Sequence, residues 1–111
     1  LIKYMWEFKL SAFADDDVFD ALSYTYDKWG SEQMRKYEGL LGRGRDLIRQ
    51  DPYLMGSKSR NDLSTGCRLY KVEYHYFFYR LNEGDNTVEI ARILHEKRDF
   101  VRHIGEKHFP K

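Results

Sequence analysis

The chain of 111 residues has one cysteine, no long apolar run and almost no net charge. The single cysteine, Cys67, excludes an internal disulfide and fits a reducing compartment. No apolar stretch approaches the ~18 residues of a membrane-spanning helix, and no signal peptide is visible. The net charge of +1 does not by itself favour any class of partner. We therefore expect a cytoplasmic protein that makes no use of a membrane.

Large aromatic side chains are abundant, since 16% of the residues are aromatic, with nine Tyr and seven Phe. A chain of this length forms one modest core, and some rings are expected to lie on a contact surface instead. The whole chain, 1–111, is predicted to be a single domain. Residues 1–4 are expected to precede a native start at Met5, and 103–111 to form a flexible tail. No cofactor is predicted.

Hydrophobic periodicity predicts one strand followed by two helices. Apolar and polar residues alternate over 4–10. The apolar face of this segment comprises Tyr4, Trp6, Phe8 and Leu10. Ser11 suits the N-cap of a helix that Gly30 ends, and Ser31 opens a second helix that stops before Pro52. Because a single glycine separates them, the two helices are predicted to form an antiparallel hairpin.

The second half of the chain is predicted to be strands. After a loop over 53–66, the segments CRLYKV, HYFFYRL and TVEIARIL have strand patterns, and EGDN forms the turn before the last of them. The predicted fold class is therefore α+β, in the order β-α-α-β-β-β, with the hairpin packed on a mostly antiparallel sheet. The predicted core residues of the hairpin are Val18, Leu22, Trp29, Tyr37, Leu41 and Ile48.

Four segments, in order along the chain, resemble the RelE/ParE superfamily of toxin–antitoxin toxins, and within it the ParE branch. They are YTYDKWGSEQMRKY (24–37), RQDPYLMG (49–56), HYFFYRL (75–81) and VEIARILHEKRDF (88–100). In the family they correspond to the helix-hairpin junction, the stop after the second helix, the third strand, and the last strand with its exit. Asp51 replaces the family's usual Asn, and Glu73 and Tyr74 occupy a turn that usually contains Gly. The resemblance covers about 5–102.

The resemblance implies a type II toxin that poisons DNA gyrase and is neutralised by a ParD-like antitoxin. It also implies that the toxin–antitoxin complex binds operator DNA through the antitoxin. The expected target-binding residues are Arg92, His95, Arg98 and Asp99. The expected antitoxin-binding residues are the aromatic Tyr26, Trp29, Tyr74, Tyr76 and Phe78. The last three share one face of a strand, and that face is expected to be open in the isolated domain.

The RelE branch instead cleaves mRNA on the ribosome, and this alternative stays open. An RNA-cleaving site without a metal needs a base, an acid and cations for the phosphate. His95, Arg92 and Arg98 are the residues that would supply them. The ribonuclease branch, however, carries an Arg where the resemblance places Tyr76, and a tyrosine offers no permanent cation. We therefore expect a binding protein with no catalytic site.

Metal binding is a further alternative for the same stretch. His95, Asp99 and His103 are spaced by four and would share one face of a helix, as zinc ligands can. No cysteine or fourth histidine completes this set. Three adjacent carboxylates at 15–17 point about 100° apart on a helix, so they do not converge on one ion and are assigned to the helix dipole. No metal site is predicted.

Overall fold

The computed structural model describes residues 5–109, which form a helix hairpin packed on a five-stranded sheet. Residues 1–4, with the predicted strand residue Tyr4, and the last two residues of the predicted tail lie outside the described residues. The elements are β1 (Glu7–Leu10), α1 (Ala12–Trp29), α2 (Ser31–Gln50), β2 (Lys58–Ser59), β3 (Arg68–Val72), β4 (His75–Asn82), β5 (Thr87–His95) and α3 (Phe100–His103), followed by a 3-10 turn, Glu106–His108. The strand order in the sheet is β1-β5-β4-β3-β2.

The sheet is mixed but mostly antiparallel, as predicted. β1 runs parallel to β5, and every other pair of neighbouring strands is antiparallel. The predicted α+β class is confirmed. β2 is an addition, because it lies in a segment predicted to be a loop and pairs with Arg68 and Leu69. Two residues are too few to show the alternation by which a strand is found in a sequence.

The helix hairpin begins and turns at the residues that the sequence indicates. Ser11 Oγ accepts the backbone N–H of Ala14 at 2.9 Å and so caps α1. Gly30 has a φ of 92°, a conformation that side chains disfavour, and it joins α1 to α2 in one residue. α2 ends at Gln50, just before Pro52. Both predicted helices are confirmed.

The main core lies between the hairpin and one face of the sheet. The predicted core residues found there are Tyr37, Leu41 and Ile48, which are buried, and Val18 and Leu22, which are partly buried. The prediction for Trp29 is wrong, because its side chain is 66% exposed. The buried residues of α1, Ala14 and Ala21, both lie before its last two turns. Trp29 is its last residue and continues the apolar spacing beyond the buried part.

The opposite face of the sheet carries a second core. Phe78 of β4 is fully buried there and Tyr76 is partly buried, and both pack with Ile104 and Phe109. The prediction that this face is open is therefore wrong, because residues of the segment predicted to be a flexible tail pack against it; the flexibility itself stays a prediction. Charged residues separate the apolar ones in this segment, so it shows neither a helical nor a strand period. We call residues 100–109 the C-terminal cover.

Polar contacts hold the C-terminal cover on the sheet. Arg92 Nη1 donates to the backbone carbonyl of His103 at 3.1 Å. Ser64 Oγ donates to the carboxylate of Glu106, and Arg80 Nη1 lies 3.5 Å from the same carboxylate. The segment is therefore a layer of the fold that is fixed by both apolar and polar contacts.

Gly44 of α2 packs directly against Val72 of β3. A Cβ atom at position 44 would lie 2.8 Å from Val72 Cγ1, closer than nonbonded carbon atoms approach. We expect Gly44→Ala to lower the free energy of unfolding by about 1–3 kcal/mol, because the stiff valine side chain must move. In Gly39→Ala, the control, the new Cβ meets nothing within 4 Å, so helix propensity should raise stability by up to ~1 kcal/mol. Urea denaturation measures both, and equal effects would contradict the packing.

A candidate binding cleft beside two histidines

Two histidines lie side by side where β4 begins and β5 ends. His75 and His95 are partners across the two strands, and their rings meet edge to face with centroids 5.3 Å apart. Tyr37 of α2 contacts His75, with its Oη 2.5 Å from His75 Nδ1. Three titratable rings thus form a row from the second helix to the end of the last strand.

Burial keeps two rings of this row, those of His75 and Tyr37, in their uncharged forms. It lowers the pKa of His75 to about 4, with the neighbouring His95 acting in the same direction, and it raises the pKa of Tyr37 to about 12. Both groups are therefore uncharged at neutral pH. The Tyr37 hydroxyl accepts the backbone N–H of Tyr74 at 3.4 Å and donates its own proton to His75 Nδ1. His75 then carries its remaining proton on Nε2.

A cleft of about 320 Å³ opens beside the histidines, between α1 and the end of the sheet. Asp20 and Tyr24 of α1 form one wall, and Arg98 forms part of the rim. His95 Nδ1 accepts the backbone N–H of Lys97 at 3.2 Å, so the neutral ring presents an N–H at Nε2. The cleft thus offers hydrogen-bond donors, the carboxylate of Asp20, a phenol ring and a guanidinium to a partner.

Arg92 is turned away from the cleft. Its Nε and Nη2 atoms donate to the two carboxylate oxygens of Asp17, both at 2.7 Å. The two side chains are only 13% and 9% exposed. The hydrogen bonds to Asp17 raise the pKa of Arg92 above its ordinary value. This guanidinium is therefore already paired with a carboxylate inside the fold.

A β-bulge changes the register between β5 and β4 just before Arg92. Phe78 is the partner of Arg92, whereas the next residue of β4, Tyr79, is the partner of Ile90. Ala91 is therefore an extra residue in β5, and the strand twists more strongly there. The bulge places the residues that follow it within reach of α1.

α1 completes the edge of β5 beyond the end of β1. Ser11 Oγ donates to the carbonyl of Ala91 at 2.6 Å. Asp17 Oδ2 accepts the backbone N–H of Ile93 at 2.9 Å. Asp17 therefore satisfies a strand amide and neutralises Arg92 at the same time.

Comparison with known proteins identifies the family. A family model described as the ParE toxin of the type II toxin-antitoxin system, parDE, matches residues 8–100. The chain belongs to the ParE toxin family. Toxin ParE of Escherichia coli is 29% identical over 105 residues, which cover 93% of this chain and 97% of that protein. Toxin ParE1 of Caulobacter vibrioides is 33% identical over 101 residues, which cover 91% of this chain and 100% of that protein.

Solved structures share the fold of this ParE-type toxin. A chain of the chromosomal ParDE toxin–antitoxin system from P. aeruginosa has a TM-score of 0.67 and 17% identity, and the match covers 82% of this chain and 96% of that one. A chain of the toxin–antitoxin complex RelBE2 from Mycobacterium tuberculosis has a TM-score of 0.59 at 17% identity, covering 82% and 98%. The predicted family and fold are confirmed.

The toxin does not bring all four predicted target-binding residues together. His95 and Arg98 line the cleft, whereas Arg92 is paired with Asp17. Asp99 is exposed at the start of α3. The chain leaves β5 and turns at 96–99. Arg92 and His95 therefore belong to the strand, whereas Arg98 and Asp99 belong to the turn. Target binding by these residues stays a prediction.

The predicted antitoxin-binding residues fall into two groups. Tyr26, Trp29 and Tyr74 are exposed on the toxin. Phe78 is fully buried, contrary to the expected open face, and Tyr76 packs against Phe100 of the C-terminal cover with ring centroids 5.1 Å apart. Antitoxin binding by the exposed residues stays a prediction.

Sequence reasoning missed five polar residues of the site. They are Asp17, Asp20, Tyr24, Tyr37 and His75. The sequence did contain a signal for His75. If the residues of β4 and β5 are paired one by one outward from the EGDN turn, His75 lies opposite Leu94, one residue from its observed partner His95. The bulge accounts for that one residue. Nothing in the sequence joins Asp17 to a strand 75 residues away.

Within residues 5–109, no group of three or more His, Cys, Asp or Glu side chains is arranged to hold a metal ion. The helical face considered for His95, Asp99 and His103 does not form, because α3 begins only at Phe100. Neither long helix of the same range is apolar enough to cross a membrane.

The buried His75 should make the stability of the toxin depend on pH. Below pH 6.5 the unfolded chain protonates this histidine, whereas the folded domain does so only near pH 4. The free energy of unfolding should therefore fall by up to about 3 kcal/mol as the pH is lowered from 6.5 to 4. His75→Gln should flatten this slope in urea denaturation. His108, whose pKa is also lowered by burial, should supply the remaining slope. An unchanged slope in His75→Gln would contradict the assignment.

Proposed function

We propose that this toxin inhibits DNA gyrase and that a ParD-like antitoxin neutralises it. The observation that carries the proposal is the family match over residues 8–100, together with relatives that cover nearly the whole chain. In the same proposal, the complex of toxin and antitoxin binds operator DNA through the antitoxin. The proposed target is bound to the bacterial chromosome, so the toxin would act in the cytoplasm.

The electrostatics of the cleft support binding over RNA cleavage. Cleavage of RNA without a metal requires cations around the pentavalent phosphate. Arg92 is occupied by Asp17, and His75 stays uncharged down to about pH 4. Tyr76, at the place where the ribonuclease branch carries an Arg, packs its ring against Phe100. Among the described residues that line the cleft, only Arg98 brings a permanent positive charge.

Ribosome-dependent mRNA cleavage is the second candidate function. One observation favours it, namely that His95 and Arg98 line the same cleft. Imidazole is a common general acid–base group in enzymes. In this mechanism His95 would move the proton and Arg98 would hold the phosphate. The remaining cations that the phosphate needs are not among the other described residues of the cleft.

Two assays with purified components separate the candidates. We expect the wild-type toxin to inhibit supercoiling by gyrase and to leave mRNA on translating ribosomes intact. His95→Ala should weaken gyrase inhibition only partly, because a residue at the rim of an interface contributes less than a buried anchor. Lys58→Ala, which changes an exposed residue of β2 outside the cleft, is the control. Cleavage of ribosome-bound mRNA that is lost in His95→Ala would contradict the proposal and make His95 a catalytic residue.

The exposed aromatic residues support an antitoxin contact. Tyr26, Trp29 and Tyr74 remain on the surface after folding, and exposed rings of this size are typical of partner surfaces. A flexible antitoxin tail that folds on binding would cover them. Adding the cognate antitoxin to the supercoiling assay should restore gyrase activity.

A further inference from the structure

The outer surface of α1 carries two parallel rows of side chains. Phe19, Tyr26 and Trp29 form an aromatic row, and their side chains are 70%, 54% and 66% exposed. Asp16, Asp20 and Asp27 form an acidic row beside it, and all three are exposed. The spacings of three, four, seven and eleven residues keep each row along one side of a helix. We call the two rows together the acidic-aromatic face.

The charge of α1 is opposite to that of the rest of the chain. The helix contains five Asp residues and one basic residue, Lys28, which gives a net charge of −4. The whole chain has a net charge of +1, so the remainder carries +5. Asp17 is neutralised by Arg92. Within residues 5–109, the carboxylates of Asp16, Asp20 and Asp27 have no ion-pair partner, so their charge is available to a partner molecule.

Folding does not account for this face. The core side of α1 is formed by small and aliphatic residues, such as Ala14 and Ala21, whereas the rings of the aromatic row remain more than half exposed. Three large exposed rings on one helix are typical of a partner surface. The face also continues into the cleft, which Asp20 and Tyr24 line together with His95 and Arg98.

We propose that the acidic-aromatic face docks the toxin on a basic, DNA-binding surface of its target; this rests on the proposed function. Gyrase binds DNA, so it presents Lys and Arg side chains to phosphates. Carboxylates in a row attract those cations, and neighbouring aromatic rings bind them by cation–π contact. α1 already shows this contact internally, since Lys28 Nζ lies 5.7 Å from the centre of the Tyr24 ring.

The proposal also gives the antitoxin a simple way to neutralise the toxin. Tyr26 and Trp29 belong to the acidic-aromatic face and also to the predicted antitoxin-binding residues. An antitoxin segment lying over them would cover the surface that the target needs. Target and antitoxin would then compete, and no change in the shape of the toxin would be required.

The test compares two variants of the face with two matched controls. Asp16→Asn/Asp20→Asn/Asp27→Asn removes the acidic row, and Glu32→Gln/Glu38→Gln/Glu83→Gln removes three exposed charges elsewhere. Phe19→Ala removes one exposed ring of the face, and Met55→Ala removes a side chain that is 98% exposed far from it. Binding to gyrase, inhibition of supercoiling and competition by linear DNA are measured for each at several salt concentrations.

We expect each face variant to bind gyrase at least about tenfold more weakly, whereas both controls match the wild type. Binding of the wild type should weaken with salt and with added DNA, and the triple Asn variant should lose most of its salt dependence. If that variant fails to fold, Phe19→Ala carries the test. Face variants that inhibit like the wild type, or that lose only their response to the antitoxin, would overturn the inference alone. A wild-type toxin without effect on gyrase would overturn the proposed function and the inference with it.

Discussion

Asp17→Ala should lower the free energy of unfolding by about 3–5 kcal/mol. The change leaves the guanidinium of Arg92 without its partner in a site where both side chains are largely buried, and an uncompensated buried charge is strongly destabilising. It also removes the acceptor of the Ile93 backbone N–H, so a strand amide next to the bulge loses its hydrogen bond. Urea denaturation at neutral pH measures the loss.

The neighbouring carboxylate supplies the control for this prediction. Asp16 is exposed and makes no ion pair among the described residues, so Asp16→Ala should change stability by less than about 0.5 kcal/mol. Asp17→Leu/Arg92→Met should recover much of the loss, because apolar residues of similar size replace the buried pair. A loss in Asp17→Ala no greater than that in Asp16→Ala would show that the pair does not hold α1 to β5.

Local signals predicted the elements of the fold well. The N-cap at Ser11, the single-residue turn at Gly30 and the stop before Pro52 are each decided by chemistry within a few residues, so they are readable in the sequence. The strands β4 and β5 are eight and nine residues long and rich in aromatic and branched apolar residues, a composition typical of strands. The resemblance to the family added the order in which the elements pack.

Contacts between distant segments were not predictable in the same way. Arg92 was expected to bind a target, because the segment that contains it resembles the last strand of the ParE branch. Its partner, Asp17, lies 75 residues earlier, and the contact depends on a one-residue bulge at Ala91. A bulge leaves no distinct mark in a strand of apolar residues. Of the predicted cations, Arg92 is therefore not part of the candidate site. His75 and Tyr37 were not predicted but belong to it, and the position of His75 depends on the register of β4 and β5.

The two faces of β4 show a second limit of pattern reading. Alternation correctly places Tyr76 and Phe78 on one face and Phe77 and Tyr79 on the other. It does not say what covers each face. The hairpin covers the face of Phe77, as predicted, whereas the face of Phe78 is covered by a segment without periodicity.

Phe78→Ala should lower the free energy of unfolding by about 3–5 kcal/mol, because a fully buried phenylalanine is removed from the second core. The ring of Phe78 lies with its centroid 4.9 Å from that of Phe100, so the loss should also loosen the C-terminal cover. Urea denaturation measures the stability, and limited trypsin digestion measures cleavage at Arg102 and Lys107, which should become faster in the variant.

Tyr74→Ala is the control, because Tyr74 lies in the turn just before β4, is 59% exposed and should contribute less than about 0.5 kcal/mol. Comparing Phe78→Ala with Tyr74→Ala tests whether the face of Phe78 is covered. If that face were open, both substitutions would lower the free energy of unfolding only slightly. A loss below about 1 kcal/mol in Phe78→Ala, with unchanged cleavage at Lys107, would show that the cover does not pack on the sheet in solution. The face of Tyr76 and Phe78 would then be free to receive the antitoxin.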